Sequence, residues 1–182
     1  MIEFETGAAM IDVATVVSEA LTNAGIMATL SGGAAVSIYS DNEYKSKDLD
    51  FVTAAMLDDL KPVMEQLGFV HTGTKRISVF EHPDIDWYVE FVAAPISFGD
   101  TVVSQEACSS IALPLGKLRV ITPTQSIMDR MAAVYAWADE QSRDQAIMVA
   151  RKQEIDWDEL QRWFLNEGQT EAEYQRFKQL VG

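Results

Sequence analysis

Asp48 and Asp50 stand at alternate positions in the run Lys45-Ser46-Lys47-Asp48-Leu49-Asp50-Phe51-Val52. On a strand, alternate residues leave the same face, so the two carboxylates would project together. Paired carboxylates are hard oxygen ligands for a divalent cation. The two metal ions of a phosphoryl-transfer site lie about 3.5–4 Å apart, within reach of such a pair. Upstream, the apolar run ending at Leu30 meets Ser31-Gly32-Gly33, a turn whose backbone N–H groups could cradle phosphates. Downstream, Asp86-Trp87-Tyr88-Val89-Glu90-Phe91-Val92 alternates, with Asp86, Tyr88 and Glu90 on one face. Glu90 sits among apolar residues, where an unpaired charge is costly and a metal or cation would relieve it. Asp86 and Glu90 are about 13 Å apart along a strand, so only one can join Asp48 and Asp50. Glu90 is favoured because Asp86 is nearer a turn, and Asp86 remains the alternative. Each signal is weak alone: Asp-x-Asp also opens ordinary strands, and Gly-Gly also makes ordinary turns.

The elements that must position these residues follow from periodicity and punctuation. Residues from about Thr6 to Ala24 read as an amphipathic helix stopped by Gly25. Ile26 to Leu30 reads as a short strand, Ala34 to Tyr39 as one or two helical turns, Asp41-Asn42-Glu43 as a loop, and Leu49 to Ala54 as a buried strand. Leu57 to Leu67 reads as a helix that tolerates Pro62 if it begins near Leu60. Arg76 to Glu81 and Asp86 to Ala93 read as a hairpin, and Thr101 to Ala107, Ser110 to Leu113 and Leu118 to Ile121 as further strands. From Thr122 the pattern becomes helical. Thr122-Pro123-Thr124-Gln125 is a capping box that opens a helix to about Asp139. A second helix spans roughly Ser142 to Lys152, a third starts at Asp156, and Thr170 opens the last. The expected fold is α+β: a mixed β-sheet flanked by helices over residues 1–121, then a helical region over 122–182 packed on that core. The aromatic residues of that region (Trp137, Trp157, Trp163, Phe164, Tyr174, Phe177) read better as packing between helices than as an interface.

Ser31-Gly32-Gly33, then Asp48-Leu49-Asp50, then a carboxylate on a later strand, resembles the nucleotidyltransferase superfamily of the polymerase-beta type. The likeness is to small bacterial members with Gly-Gly-x-Ala-x-Ser-x-Tyr, Arg/Lys-Asp-x-Asp-Phe and an Asp-Arg helix, here Asp129-Arg130. Those members are related to the nucleotidyltransferases of abortive-infection and toxin–antitoxin systems. The resemblance implies that Asp48, Asp50 and Glu90 bind Mg²⁺ or Mn²⁺ and carry the catalysis, and that Ser31, Gly32 and Gly33 hold a nucleoside triphosphate. Arg130 is either a neutraliser of phosphate charge or the ion-pair partner of a neighbouring acid. The implied activity is transfer of a nucleoside monophosphate to a hydroxyl of a protein, RNA or small molecule. Ala34 departs from the Ser or Thr that often follows the second glycine. The alternative is therefore a catalytically inactive module of the same fold, a partner in a two-protein, toxin–antitoxin-like system.

Composition narrows the partners. The 182 residues are 48% hydrophobic, enough for one well-buried core. Fourteen Lys and Arg against 28 Asp and Glu give a formal net charge of −14. Such a charge repels a phosphate backbone and disfavours general nucleic-acid binding, although Lys75-Arg76 could form a local basic patch. A small nucleotide, a protein hydroxyl or a small molecule such as an aminoglycoside fits better. No apolar run is long enough to span a membrane and the acidic opening carries no signal-peptide pattern, so a cytoplasmic protein is expected. The lone Cys108 excludes an internal disulfide and reads as a small strand residue, and two histidines make a multi-histidine metal site improbable.

Overall fold

The computed structural model describes Phe4, residues 7–74 and residues 78–182. The elements in chain order are α1 (Met10–Asn23), β1 (Ala28–Ser31), α2 (Gly32–Tyr39), β2 (Asp48–Thr53), α3 (Leu57–Gln66), β3 (Val70–His71), β4 (Ser78–Glu81), β5 (Tyr88–Ala93), β6 (Ile96–Phe98), β7 (Thr101–Val103), β8 (Ser109–Leu113), β9 (Gly116–Val120), α4 (Pro123–Trp137), α5 (Glu140–Lys152), α6 (Trp157–Asn166) and α7 (Glu171–Val181). Seven strands form one sheet in the order β3-β4-β5-β2-β1-β9-β8, and β6 and β7 form a separate hairpin. The sheet is mixed: β2 is antiparallel to β1 and parallel to β5, while β1 is parallel to β9. Leu30, Leu49, Phe51, Val89, Leu118 and Val120 have no exposure and form the sheet's share of the core. Central strands buried in this way must lie between covering layers. No helix among the described residues is long and apolar enough to cross a membrane.

Several boundaries differ from the sequence reading, each for a local reason. The first helix starts at Met10 rather than near Thr6, which lies outside the described residues. Helix α3 begins at Leu57, so Pro62 is truly internal. Pro62 and Asp58 are both exposed, so the Asp58 carbonyl that loses its N–H partner faces water. The Asp59 carboxylate meanwhile accepts the N–H of Met56 and supports the early start. Strand β5 starts at Tyr88, which leaves Asp86 and Trp87 in the preceding loop, where the Trp87 indole donates to the Ala8 carbonyl. The expected strand Thr101 to Ala107 stops at Val103, and Gln105–Ala107 forms a 3₁₀ turn. There the Gln105 side chain accepts from Thr29 and donates to the Val52 carbonyl, which ties the turn across the sheet. Cys108 closes that turn instead of sitting in a strand, and burial pushes its thiol up to about 11. Helix α5 begins at Glu140, two residues early, because Asp139 caps it. The expected strand at Arg76 and the Lys75-Arg76 patch lie outside the described residues.

The capping box of α4 forms as expected, with Thr122 paired to Gln125, and Thr170 opens α7 with a second such box, paired to Glu173. The aromatic residues resolve mostly into core. Phe164 is fully buried and touches the rings of Tyr135, Trp163, Tyr174 and Phe177. Trp137 is the exception, at 81% exposed. The buried Trp163 indole donates to the Phe98 carbonyl, which joins α6 to the β6–β7 hairpin. The Glu167 carboxylate completes that joint by accepting from the Asp100 N–H and the Thr101 hydroxyl. Gly99 turns the hairpin at φ +65°, and a Cβ there would collide with this carboxylate. Gly99→Ala is therefore expected to cost about 2–3 kcal/mol, from the left-handed backbone and the displaced carboxylate together. A lower urea midpoint with an unchanged slope would show it.

Candidate active site

Strand register assembles the site. Parallel pairing of β2 with β5 sets Asp48 beside Tyr88 and Asp50 beside Glu90. Antiparallel pairing of β1 with β2 sets Ser31 beside Asp50. Three neighbouring strands thus deliver the glycine turn, the aspartate pair and Glu90 in that spatial order. Asp86 lies in the loop before β5 and is exposed, so the register selects Glu90 over Asp86 as the neighbour of the pair.

The turn is shaped around Asp50. Gly32 opens α2 at φ +62°, and a Cβ on it would lie 2.5 Å from Asp50 Oδ2. Both the conformation and the approach require glycine. Gly32→Ala is expected to displace the Asp50 carboxylate and to lower any activity of the site by about 100-fold, with about 1–2 kcal/mol of backbone strain. Parallel activity and thermal-melting measurements on the variant would separate the two effects. Gly33 has an ordinary backbone, but a Cβ there would lie 2.9 Å from Ser46 Oγ. Ser31 spends its hydroxyl on the Asp50 carbonyl at 3.4 Å and makes no cap for α2. The N–H groups at the start of α2 therefore lack a side-chain partner from Ser31.

Electrostatics confirms the crowding. The Asp50 carboxyl is pushed up to about 7, first by burial and then by the negative charges of Asp48 and Glu90. Arg130 pulls it down and Asp129 pushes it up, which puts the middle of α4 within electrostatic reach. Arg130 itself is ion-paired with Asp129 at 2.5 Å and donates to Gln145 Oε1 at 3.3 Å. Of the two roles open to Arg130, the ion-pair role is the one made in this structure, and the guanidinium still acts on Asp50. Sequence reasoning missed three contributors. Ser46 donates to Asp48 Oδ1 at 2.5 Å, Tyr88 donates to Asp48 Oδ2 at 3.3 Å, and Ser37 donates to the Gly33 carbonyl at 3.1 Å. Tyr88 was visible as a same-face neighbour of Glu90. Ser37 stood in the Gly-Gly-x-Ala-x-Ser-x-Tyr pattern, but nothing linked it to Ser46, because the loop that brings them together is not periodic.

The donor set suits a hard divalent cation: three carboxylates, one of them holding its proton near neutrality because it is buried beside negative neighbours. Among the described residues, no three His, Cys, Asp or Glu side chains are already drawn into one cage.

No protein-family model matches the chain, and the curated proteins contain no match either. Solved structures do match. An antigenic nucleotidyltransferase-like protein from Paracoccidioides brasiliensis superposes with a TM-score of 0.58 at 15% identity, over 91% of this chain and 89% of its own. ANT(2")-Ia in complex with adenylyl-2"-tobramycin gives 0.55 at 13% identity, over 86% and 94%. The lincosamide antibiotic adenylyltransferase LnuA with lincomycin bound gives 0.52 at 12% identity, over 78% and 96%. At these identities the likeness is one of fold. The chain has the nucleotidyltransferase fold, the mixed sheet and flanking helices expected from its motifs.

Proposed function

We propose that this chain is a metal-dependent nucleotidyltransferase that moves a nucleoside monophosphate from a nucleoside triphosphate to a hydroxyl of a small, cationic acceptor. The observation that carries the reading is the register that sets Asp48, Asp50 and Glu90 on two adjacent strands beside the Gly32-Gly33 turn. Asp48, Asp50 and Glu90 would hold Mg²⁺ or Mn²⁺, which supplies neutralisation of charge on the triphosphate and polarisation of its phosphorus–oxygen bonds. The backbone N–H groups of Gly32 and Gly33 would hold the phosphates at the start of α2. Arg130 would exchange part of its pairing with Asp129 for a phosphate oxygen.

The order of the strands supports a direction for the reaction. The glycine turn lies on the β1 side of Asp50 and Glu90 on the β5 side. The triphosphate therefore occupies the first side and the acceptor the second. The acceptor oxygen attacks the α-phosphorus and forms an oxygen–phosphorus bond. The bond to the bridging α–β oxygen breaks, pyrophosphate leaves with that electron pair, and Glu90 takes the hydroxyl proton. Catalysis then rests on positioning and charge compensation, as is usual for phosphoryl transfer.

The net charge of −14 supports a cationic acceptor over nucleic acid. The tobramycin adduct and the lincomycin complex, each held by a protein of this fold, are consistent with a small-molecule acceptor. The test is transfer of α-labelled nucleoside triphosphates, with magnesium, to a panel of aminoglycosides, a lincosamide, total cell protein and RNA. Label on a small cationic acceptor supports the proposal. Label on protein alone would replace that acceptor with a protein partner, as in a toxin–antitoxin pair. No transfer together with no magnesium-dependent nucleotide binding would leave a non-catalytic member of the fold.

A further inference from the structure

The carboxylate of Asp48 is held at both oxygens by hydroxyls from two different elements. Ser46 donates to Oδ1 at 2.5 Å from the loop before β2. Tyr88 donates to Oδ2 at 3.3 Å from β5. Ser46 is in turn fixed from α2: its N–H donates to Ser37 Oγ at 2.9 Å, and Ser37 donates to the Gly33 carbonyl at 3.1 Å. Ser37 has no exposure and Ser46 only 4%, so water does not compete for these bonds. A continuous hydrogen-bonded path thus runs from the second glycine of the turn to the first aspartate of the pair.

We infer that Ser46 and Tyr88 are positioning residues that hold Asp48 in the orientation a divalent cation requires. Through Ser37, Ser46 also keeps that carboxylate in register with the Gly32-Gly33 turn. The inference rests on the metal-dependent reading above. Its physical basis is entropy and direction: an exposed carboxylate rotates freely, and each hydroxyl fixed on it removes freedom that ion binding would otherwise have to remove. Neither hydroxyl needs to touch the cation. The loop carrying Ser46 has other anchors, among them Lys152 against Asp41 and Glu43, and the Tyr44 N–H on Ser40 Oγ. Loss of the Ser46 hydroxyl is therefore expected to leave the fold standing.

The measurement is Mn²⁺ binding to the purified chain by electron paramagnetic resonance and calorimetry, with circular dichroism and thermal melting as folding controls. Ser46→Ala is expected to weaken Mn²⁺ binding about 10-fold, the low end of the range seen when groups that orient a metal ligand are removed, and Tyr88→Phe about 3-fold, because its bond is longer at 3.3 Å. In an Asp48→Ala background, which offers Ser46 no acceptor, the same Ser46→Ala change is expected to cost nothing further, since its effect runs through Asp48. Folded Ser46→Ala protein that binds Mn²⁺ within about 2-fold of the parent overturns the inference, as does an equal loss in the Asp48→Ala background. If Ser46→Ala does not fold, Tyr88→Phe decides: it keeps the ring, so unchanged affinity overturns the inference and weakened affinity supports it. A parent chain that binds no Mn²⁺ overturns the metal-dependent reading and the inference together, an outcome distinct from the others.

Discussion

Asp50→Asn is expected to lower nucleotidyl transfer by about 10³-fold or more, the largest catalytic effect of any single substitution in this chain. Asn preserves the shape beside Gly32 but removes the negative charge that a divalent cation would neutralise. Asp50 is the residue through which the rest of the site acts. It stands against Gly32 on one side and pairs in register with Glu90 on the other. Asp48 and Glu90 raise its carboxyl while Arg130 lowers it. Under the proposed function, a change at Asp50 would therefore alter metal binding and, through the turn, the placement of the phosphates. Asp48→Asn is expected to be somewhat milder, because its amide oxygen can still accept from Ser46 or Tyr88. Single-turnover rates with saturating magnesium would order the two variants. Activity retained within about 10-fold in Asp50→Asn would remove Asp50 from the machinery and the proposed chemistry with it.

The parts of this site that were legible in the sequence are those set by short-range periodicity. Asp48-x-Asp50 shows its common face because a strand repeats every two residues, and Glu90 shows itself as a charge within an alternating apolar strand. The fold class was legible for the same reason, from strand patterns followed by capped helices. What could not be read depends on contacts between distant segments. Ser37 and Ser46 meet only because the chain between them passes through left-handed conformations at Asp41 and Asn42, so no periodic pattern links them. The pairing of β2 with β5 rather than with another strand decides between Glu90 and Asp86, and both carboxylates fit the alternation equally well. The Gln105–Ala107 turn interrupts a run with good strand character because the Gln105 side chain bonds to Thr29 and Val52. Helix α3 keeps Pro62 because the carbonyl it strands is on the wet face. In each case a tertiary contact or the solvent overrode a local preference.

The second large effect is on stability, and it has the opposite sign to the first. With no divalent metal present, Asp50→Asn is expected to stabilise the chain at about pH 8 by roughly 2–4 kcal/mol, while leaving it nearly unchanged near pH 4. In the unfolded chain Asp50 titrates at its ordinary value of 3.8, whereas in the folded chain it titrates at about 7. Well below 3.8 both states hold the proton and the residue contributes no pH dependence. Between the two values the folded state binds more protons than the unfolded state, so stability falls as pH rises. Above about 7 both states are ionised, and the folded chain carries the full cost of a carboxylate buried beside Asp48 and Glu90. Asn carries no charge at any pH and escapes that cost. Urea unfolding in chelator at about pH 4, 6 and 8 would trace the divergence between the parent and Asp50→Asn. Excess Mg²⁺ is expected to close the gap at about pH 8, because an ion bound to the folded state alone stabilises it by mass action. A parent chain whose stability does not fall over this range would mean that Asp50 ionises without penalty, and the crowded carboxylates would then give no reason to expect a cation between them.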